Sequence, residues 1–372
     1  MKKMLSLLLV IAMLLTMTAC GAAPEATAAP EAAKTHIVVD HLGNEVELPY
    51  EINRIAVCDI LPLPSVLTVF FDSAEKIVGM AGTSMSAAAN GLLGQLYPEI
   101  LNAETGFIDG SNINLEELLK LQPDVVFYSA SRPEQGEQLK RAGLAGIAVS
   151  VNKWQYNSIE TLNNWILLLS EIFPDNNKTE IVKAYSDKVY AMVQERVAAI
   201  PEGEREDVFF LFKYAETSIM TSGNQFFGQW WADAMGARNV GEEVNVDNQV
   251  TVNMEQIYAW NPSVIFITNF TSAGPDDLYN NTVGVYDWSA IDAVQNQRVY
   301  KMPLGMYRSY TPGVDTPVTL LWLAKTAYPD MFSDIDIIAE TKTYYKEVFG
   351  IDLTDAQAAS IFAPSADAGS GF

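Results

Sequence analysis

The chain is poor in the residues that metal capture and acid–base catalysis usually require. Of its 372 residues only two are histidine, His36 and His41, both close to the start of the folded region. Direct capture of zinc or manganese, which commonly draws on several imidazoles, is therefore not expected. Haem held through an axial histidine is disfavoured for the same reason, although tyrosine or methionine ligation stays open. Basic residues are scarce as well: 23 Lys and Arg against 46 Asp and Glu give a formal charge of −23. No basic footprint for phosphate is present, which excludes nucleic acid as a partner. Neither GxSxG, HExxH nor a P-loop occurs. With the commonest general base also missing, the chain is not expected to be an enzyme.

Cysteine is almost absent too, and the placement of Cys20 is informative. Lys2 and Lys3 precede the apolar run MLSLLLVIAMLLTM, and the small residues Thr18 and Ala19 lead into Cys20-Gly21. This order reads as a secretory signal (1–19) ending in a lipoprotein cleavage box, with Cys20 acylated and membrane-anchored. Cys58 then has no partner for an intrachain disulfide, and in RIAVCDI it reads as a small buried thiol. Residues 20–35, lipidated Cys20 followed by GAAPEATAAPEAAK, form a flexible tether. Residues 363–372, beginning APSADAG, have an equally coreless composition and are expected to be a disordered tail. No second hydrophobic span and no short-period repeat intervenes.

What lies between is alternation. IVVDHLGNEVEL reads as a hairpin turning at Leu42-Gly43-Asn44. RIAVCD, KIVGMA, DVVFYS and GIAVSV read as short buried strands, with NLEELLKLQ and EQLKRAG as intervening helices, the pattern of a parallel sheet with right-handed crossovers. SIETLNNWILLLSEIF is an amphipathic helix broken by Pro174, and Lys178 to Ile200 carries helical spacing without Gly or Pro. The alternation then restarts with DVFFLFKYAE, SVIFITNF and RVYKMP. The fold class is α/β: two Rossmann-like lobes joined by a single long backbone helix, with a ligand cleft between them. The expected divisions are an N-terminal lobe at 36–157, a helical connector at 158–204 and a C-terminal lobe at 205–362.

Five pieces in order, VVDHLGNEVELPYEINRIAV, NLEELLKLQPDVVF, VTVNMEQIYAWNPSVIFI, WSAIDAVQNQRVYKMP and LLWLAKTAYPDMF, resemble the substrate-binding lipoproteins of ABC importers for ferric siderophores, haem and cobalamin. The resemblance implies an extracytoplasmic, lipid-anchored, monomeric protein that captures a metal chelate and delivers it to a membrane permease. It carries no resident cofactor. The resemblance also implies a carboxylate on each lobe for permease docking. Glu255 stands at the second-lobe position, whereas Ser65 replaces the expected glutamate in the first, leaving Asp59 and Asp72 as nearby acids.

Ligands of parallel α/β sheets bind beyond the carboxyl ends of the strands. Reading the residues after each strand selects Tyr128, Arg132, Lys153 and Trp154 in the first lobe. In the second lobe it selects Lys213, Tyr214, Tyr307, Arg308 and Tyr310. The run QFFGQWW, read as a helix start where the resemblance implies a ligand-facing aromatic, adds Phe227 and Trp230. Cations interleaved with aromatics in a low-dielectric cleft suit a multi-oxygen anion such as a ferric siderophore chelate. Cobalamin, haem or a molybdate-type oxyanion are the alternatives on the same fold.

Overall fold

The computed structural model describes residues 34–369. The signal sequence, Cys20 and nearly all of the tether lie outside the described residues. The first strands, Thr35–Val39 and Glu45–Pro49, pair antiparallel in the register Val38↔Val46. Their turn is closed by Asp40, whose side chain accepts the amides of Leu42 and Asn44 at 2.9 Å each. Gly43 supplies the left-handed conformation that the turn needs (φ +86°).

In the first lobe, strands Ile77–Gly79, Ile55–Val57, Val125–Ser129 and Gly146–Val149 form a parallel sheet in that order. Side chains alternate between its faces. Val125 and Phe127 join the large cluster that continues into the connector helices, while Val126 and Tyr128 pack with Leu139 on the other face. The second lobe repeats the plan. Arg238–Asn239, Asp207–Leu211, Val264–Ile267 and Val299–Lys301 form a second parallel sheet, with Leu211 opposite Ile267. An antiparallel ribbon absent from the sequence reading is added here: Lys213–Ala215, Ser218–Ser222 and Gln249–Val252.

The lobes are joined through two helices. Ser158–Ile172 starts where the Asn157 side chain accepts the Glu160 amide at 2.9 Å. The indole of Trp165, fully buried, donates to the carbonyl of Ser150 at 2.7 Å and fixes this helix to a strand end. The backbone helix runs Thr179–Val197, an unbroken 19 residues and ~28 Å. This is one turn shorter than its periodicity implied, because the chain leaves the helix before Pro201. The helix Thr316–Ala327 packs along it, and Tyr185 meets Tyr344 of Ile337–Tyr344 at 4.8 Å.

One expectation is overturned at the far end. Residues 363–369 are not a frayed tail: Ala366–Gly369 forms a 3₁₀ turn in which Ala368 and Gly369 are buried. The composition supplies no core for this segment, and its order comes from main-chain contacts with distant parts of the chain.

Candidate functional site between the lobes

The carboxyl ends of both sheets converge on contacts that cross from lobe to lobe. Tyr156, after the last first-lobe strand, meets Phe226 and Phe227 edge-on at 5.0 and 4.8 Å. Its hydroxyl donates to the carbonyl of Asp247 at 3.0 Å. Deeper in, Phe212 stacks on Phe270 at 4.9 Å, and Tyr310 contacts Phe212, Phe226 and Phe227. These rings form an apolar wall that belongs mainly to the second lobe.

Arg308 lies against that wall and is 0 % exposed. Its guanidinium carbon sits 5.3 Å from the Phe270 ring centre and 5.4 Å from that of Tyr307. Nε donates to the carbonyl of Asn269 at 2.7 Å, and Nη1 to the carbonyl of Thr83 at 3.0 Å and to the Tyr307 hydroxyl at 3.2 Å. Thr83 belongs to the first-lobe helix Gly82–Asn90, so one side chain spans both lobes. The carbonyl of Ala368 accepts from Nε at 3.2 Å and Nη2 at 2.8 Å. The fan of donors in a guanidinium plane makes this multiple recognition geometrically possible.

The loop that presents Arg308 is fixed from below by Asp315. Its carboxylate accepts the Met306 amide at 2.8 Å and the hydroxyl of Tyr345. Burial pushes the Asp315 carboxyl up to about 6, against these hydrogen bonds. Gly305 is required here because a Cβ would overlap the Asp315 carboxylate.

The first-lobe wall is different in kind. Arg132 stays 42 % exposed, and its Nε pairs with Asp59 at 2.5 Å. Burial raises the Asp59 carboxyl above its ordinary range, while Arg132 and the Ser129 amide, at 3.1 Å, act in the opposite direction. Lys153 donates to the carbonyl of His41 at 3.0 Å and lies over the Trp154 ring. His41 in turn accepts the Ser150 amide on Nδ1 at 3.0 Å. Burial, then the charge of Lys153, holds the imidazole down at about 4, so it is neutral.

Outside these contacts a groove of about 670 Å³ runs between the lobes, walled by Trp154 and Tyr156 on one side and Phe226 and Trp230 on the other. Its polar lining is amide and carboxylate, including Gln229, Asp233 and Glu160, and none of the four expected cations lines it. Lys213, half-buried at the start of its strand, has its ammonium pKa lowered by burial.

Eleven residues were expected at the ligand cleft. Trp154 and Trp230 line the groove, while Phe227, Tyr307, Arg308 and Tyr310 meet at or behind the aromatic wall. Arg132, Lys153 and Lys213 sit near strand ends, the first two tied within their own lobe. Tyr128 and Tyr214 are corrections. The strand containing Tyr128 extends to Ser129, so its side chain turns to the core face, 3 % exposed. Tyr214 lies within an antiparallel strand, 6 % exposed, with its hydroxyl donating to the Val283 carbonyl and accepting from the Trp288 indole. Of the consecutive tryptophans, Trp231 is core and donates to the Tyr310 carbonyl at 2.9 Å.

Phe212, Thr83, Asp315 and Ala368 were not anticipated. Phe212 could have been found, since it ends the apolar run DVFFLF. Thr83 and Ala368 contribute only carbonyls and leave no mark in the sequence. For docking, Glu255 is exposed in the first turn of Met254–Trp260. Ser65 is buried, Asp59 is paired with Arg132, and Asp72 accepts the Tyr97 hydroxyl at 2.6 Å. Cys58 is a buried free thiol. Among the described residues there is no cluster of three His, Cys, Asp or Glu able to hold a metal ion. No helix among them is long and apolar enough to cross a membrane.

Two α/β lobes joined by two connector helices and meeting through an aromatic wall and a guanidinium make the architecture of a two-lobed solute-binding protein. The chain belongs to the periplasmic binding protein family, whose profile matches residues 76–304. It is 25 % identical over 338 residues to the molybdate-binding protein MolA of Haemophilus influenzae, covering 84 % of this chain and 90 % of that protein. It is 22 % identical over 310 residues to the iron-uptake system-binding protein of Bacillus subtilis, covering 81 % and 90 %. A solved periplasmic solute binding protein from Veillonella parvula superposes with a TM-score of 0.78 at 29 % identity, covering 89 % of this chain and 97 % of that one. The family is one of periplasmic, and hence extracytoplasmic, binding proteins.

Proposed function

We propose that this protein captures an anionic metal chelate of the ferric siderophore class and delivers it to an ABC importer. The observation that carries the reading is Arg308: a fully buried guanidinium, stacked between two aromatic rings and bonded to carbonyls of both lobes. A cation excluded from water attracts an anion far more strongly than one in solvent. The surrounding rings offer stacking area to a planar catecholate or hydroxamate. Lobe closure is a modest rocking about the unbroken helix, with the second-lobe wall formed in advance. The protein performs no chemistry, is anchored through acylated Cys20, acts as a monomer, and uses exposed Glu255 as its second-lobe contact with the permease.

A molybdate-type oxyanion is the second reading, favoured by the 25 % identity to a molybdate-binding protein across 84 % of the chain. Haem and cobalamin follow, since neither His36 nor His41 stands near Arg308: His36 stacks on Tyr50 and His41 serves Ser150. Titration of the fluorescence of the seven tryptophans with ferric siderophores, molybdate, haem and cobalamin tests all four. A saturable change with a ferric chelate, and none with the others, is expected. Saturation by molybdate alone transfers the assignment to the second reading, and no response across the panel refutes both.

A further inference from the structure

We propose that the segment Ala363–Gly369 is a built-in occupant of the inter-lobe cleft, which a ligand must displace from Arg308. The proposal rests on the reading of this cleft as the ligand site.

The segment follows the helix Asp355–Ile361 and tightens into the 3₁₀ turn Ala366–Gly369, with the Ala368 amide donating to the Ser365 carbonyl at 3.2 Å. Ala368 is 0 % exposed, and its carbonyl accepts from two nitrogens of Arg308, at 2.8 and 3.2 Å. The same guanidinium holds Thr83 of the first lobe and Asn269 of the second. Three stretches far apart in sequence thus converge on one cation, and one of them is this segment. Gly369 lies so close to the Thr271 main chain that a Cβ would overlap the Thr271 carbonyl. That opposing loop is itself stiff, because Lys301 donates to the carbonyls of Thr268, Thr271 and Ala273 at 3.0, 2.6 and 2.7 Å.

The chemistry of the contact is what makes it replaceable. APSADAG has no large apolar side chain with which to build a core, so main-chain bonds hold it in place. The hydrogen bonds to a charged partner are opposed by the entropy of ordering the segment's backbone, which release returns. An anionic oxygen of a ligand is a stronger partner for a guanidinium than a peptide carbonyl. Arrival of such a ligand therefore favours release. Occupancy by the segment lowers apparent affinity in proportion to the open fraction, so a segment bound nine-tenths of the time weakens it ~tenfold. When no ligand is present, the segment keeps the guanidinium and the aromatic wall from solvent.

Hydrogen exchange read by mass spectrometry on the full chain tests this, alongside Gly369→Val and a chain ending at Ala363. Sodium molybdate and a ferric tris-catecholate are the probes. In the unliganded chain, amides of 363–369 should exchange at least tenfold more slowly than in Gly369→Val. A probe that binds should do so ~tenfold more tightly to either altered chain, and should speed exchange over 363–369 in the native one. Equal exchange in native and Gly369→Val chains overturns the proposal. So does a bound probe that leaves the segment protected and binds all three chains equally. If neither probe binds any chain, the ligand reading fails, and the unliganded exchange comparison decides the proposal alone: protection supports it and its absence refutes it.

Discussion

The two walls of the cleft both carry an arginine at a strand end, yet they prepare it differently. On the first lobe Arg132 is partly exposed and neutralised by its own neighbour Asp59, and Lys153 rests on the His41 carbonyl. On the second lobe Arg308 is buried, stacked and held by carbonyls, with Asp315 fixing its loop. A solvated ion pair contributes little and attracts little, because water screens it and the partner cancels its field. A buried guanidinium lies in a medium that screens its field far less than water does. The comparison teaches that the number of cations near a cleft says less than what each is already bonded to, and the proposed anion recognition accordingly falls to the second lobe.

The strongest way to break the comparison is Arg308→Ala. It should weaken binding of the ferric chelate by well over tenfold. It should also lower the melting temperature by several degrees, because the carbonyls of Asn269 and Thr83 lose a buried donor at ~1–3 kcal/mol. Titration and thermal unfolding of the same preparation check both; undiminished affinity removes Arg308 from the site. Next in size is Tyr156→Phe, which deletes the hydroxyl bonded across the lobes to Asp247. A neutral hydrogen bond contributes ~1 kcal/mol, so affinity should fall about fivefold while the aromatic contacts survive. A change smaller than twofold would mean that this bond does not contribute to closure.

Arg132→Gln sharpens the contrast from the other side. With Asp59 already satisfying Arg132, binding should change less than threefold, measured by the same titration. A tenfold loss would show that the first lobe shares in anion recognition. The smallest effect concerns His41. Its imidazole is held at about 4 when folded, against an ordinary value near 6.5. The unfolded chain therefore binds the extra proton first as pH falls. Stability from this group is complete above about 6.5 and is lost as pH drops toward 4. Native protein should lose ~1–2 kcal/mol more than His41→Gln between pH 6.5 and 4, after allowance for partial solvent screening. Denaturant melts at the two pH values check this, and parallel losses would refute it.

Much of the architecture was legible. Strands such as VVFYS and VIFI are apolar enough to be recognised without partners, and the helix from Thr179 has no interior breaker. The antiparallel ribbon after Leu211 was hidden because KYAE reads as a continuation of DVFFLF. In the site, Arg308 stood out as an arginine between tyrosines, and Trp230 as half of a pair that a helix must separate. Tyr128 was misplaced because its strand end was set two residues early, and a single step reverses the face of a side chain, whereas Tyr214 belongs to the ribbon itself.

The sequence by itself determined the alternation of elements, the two lobes, the backbone helix and the family to which the chain belongs, because these follow from local periodicity and the order of motifs. Only the tertiary structure decided what Arg308 holds. Its partners Thr83, Asn269 and Ala368 are 225, 39 and 60 residues away, and each offers a carbonyl that every residue possesses. A main-chain acceptor has no residue signature, so folding alone could bring the first lobe, the second lobe and the segment after the last helix onto one cation.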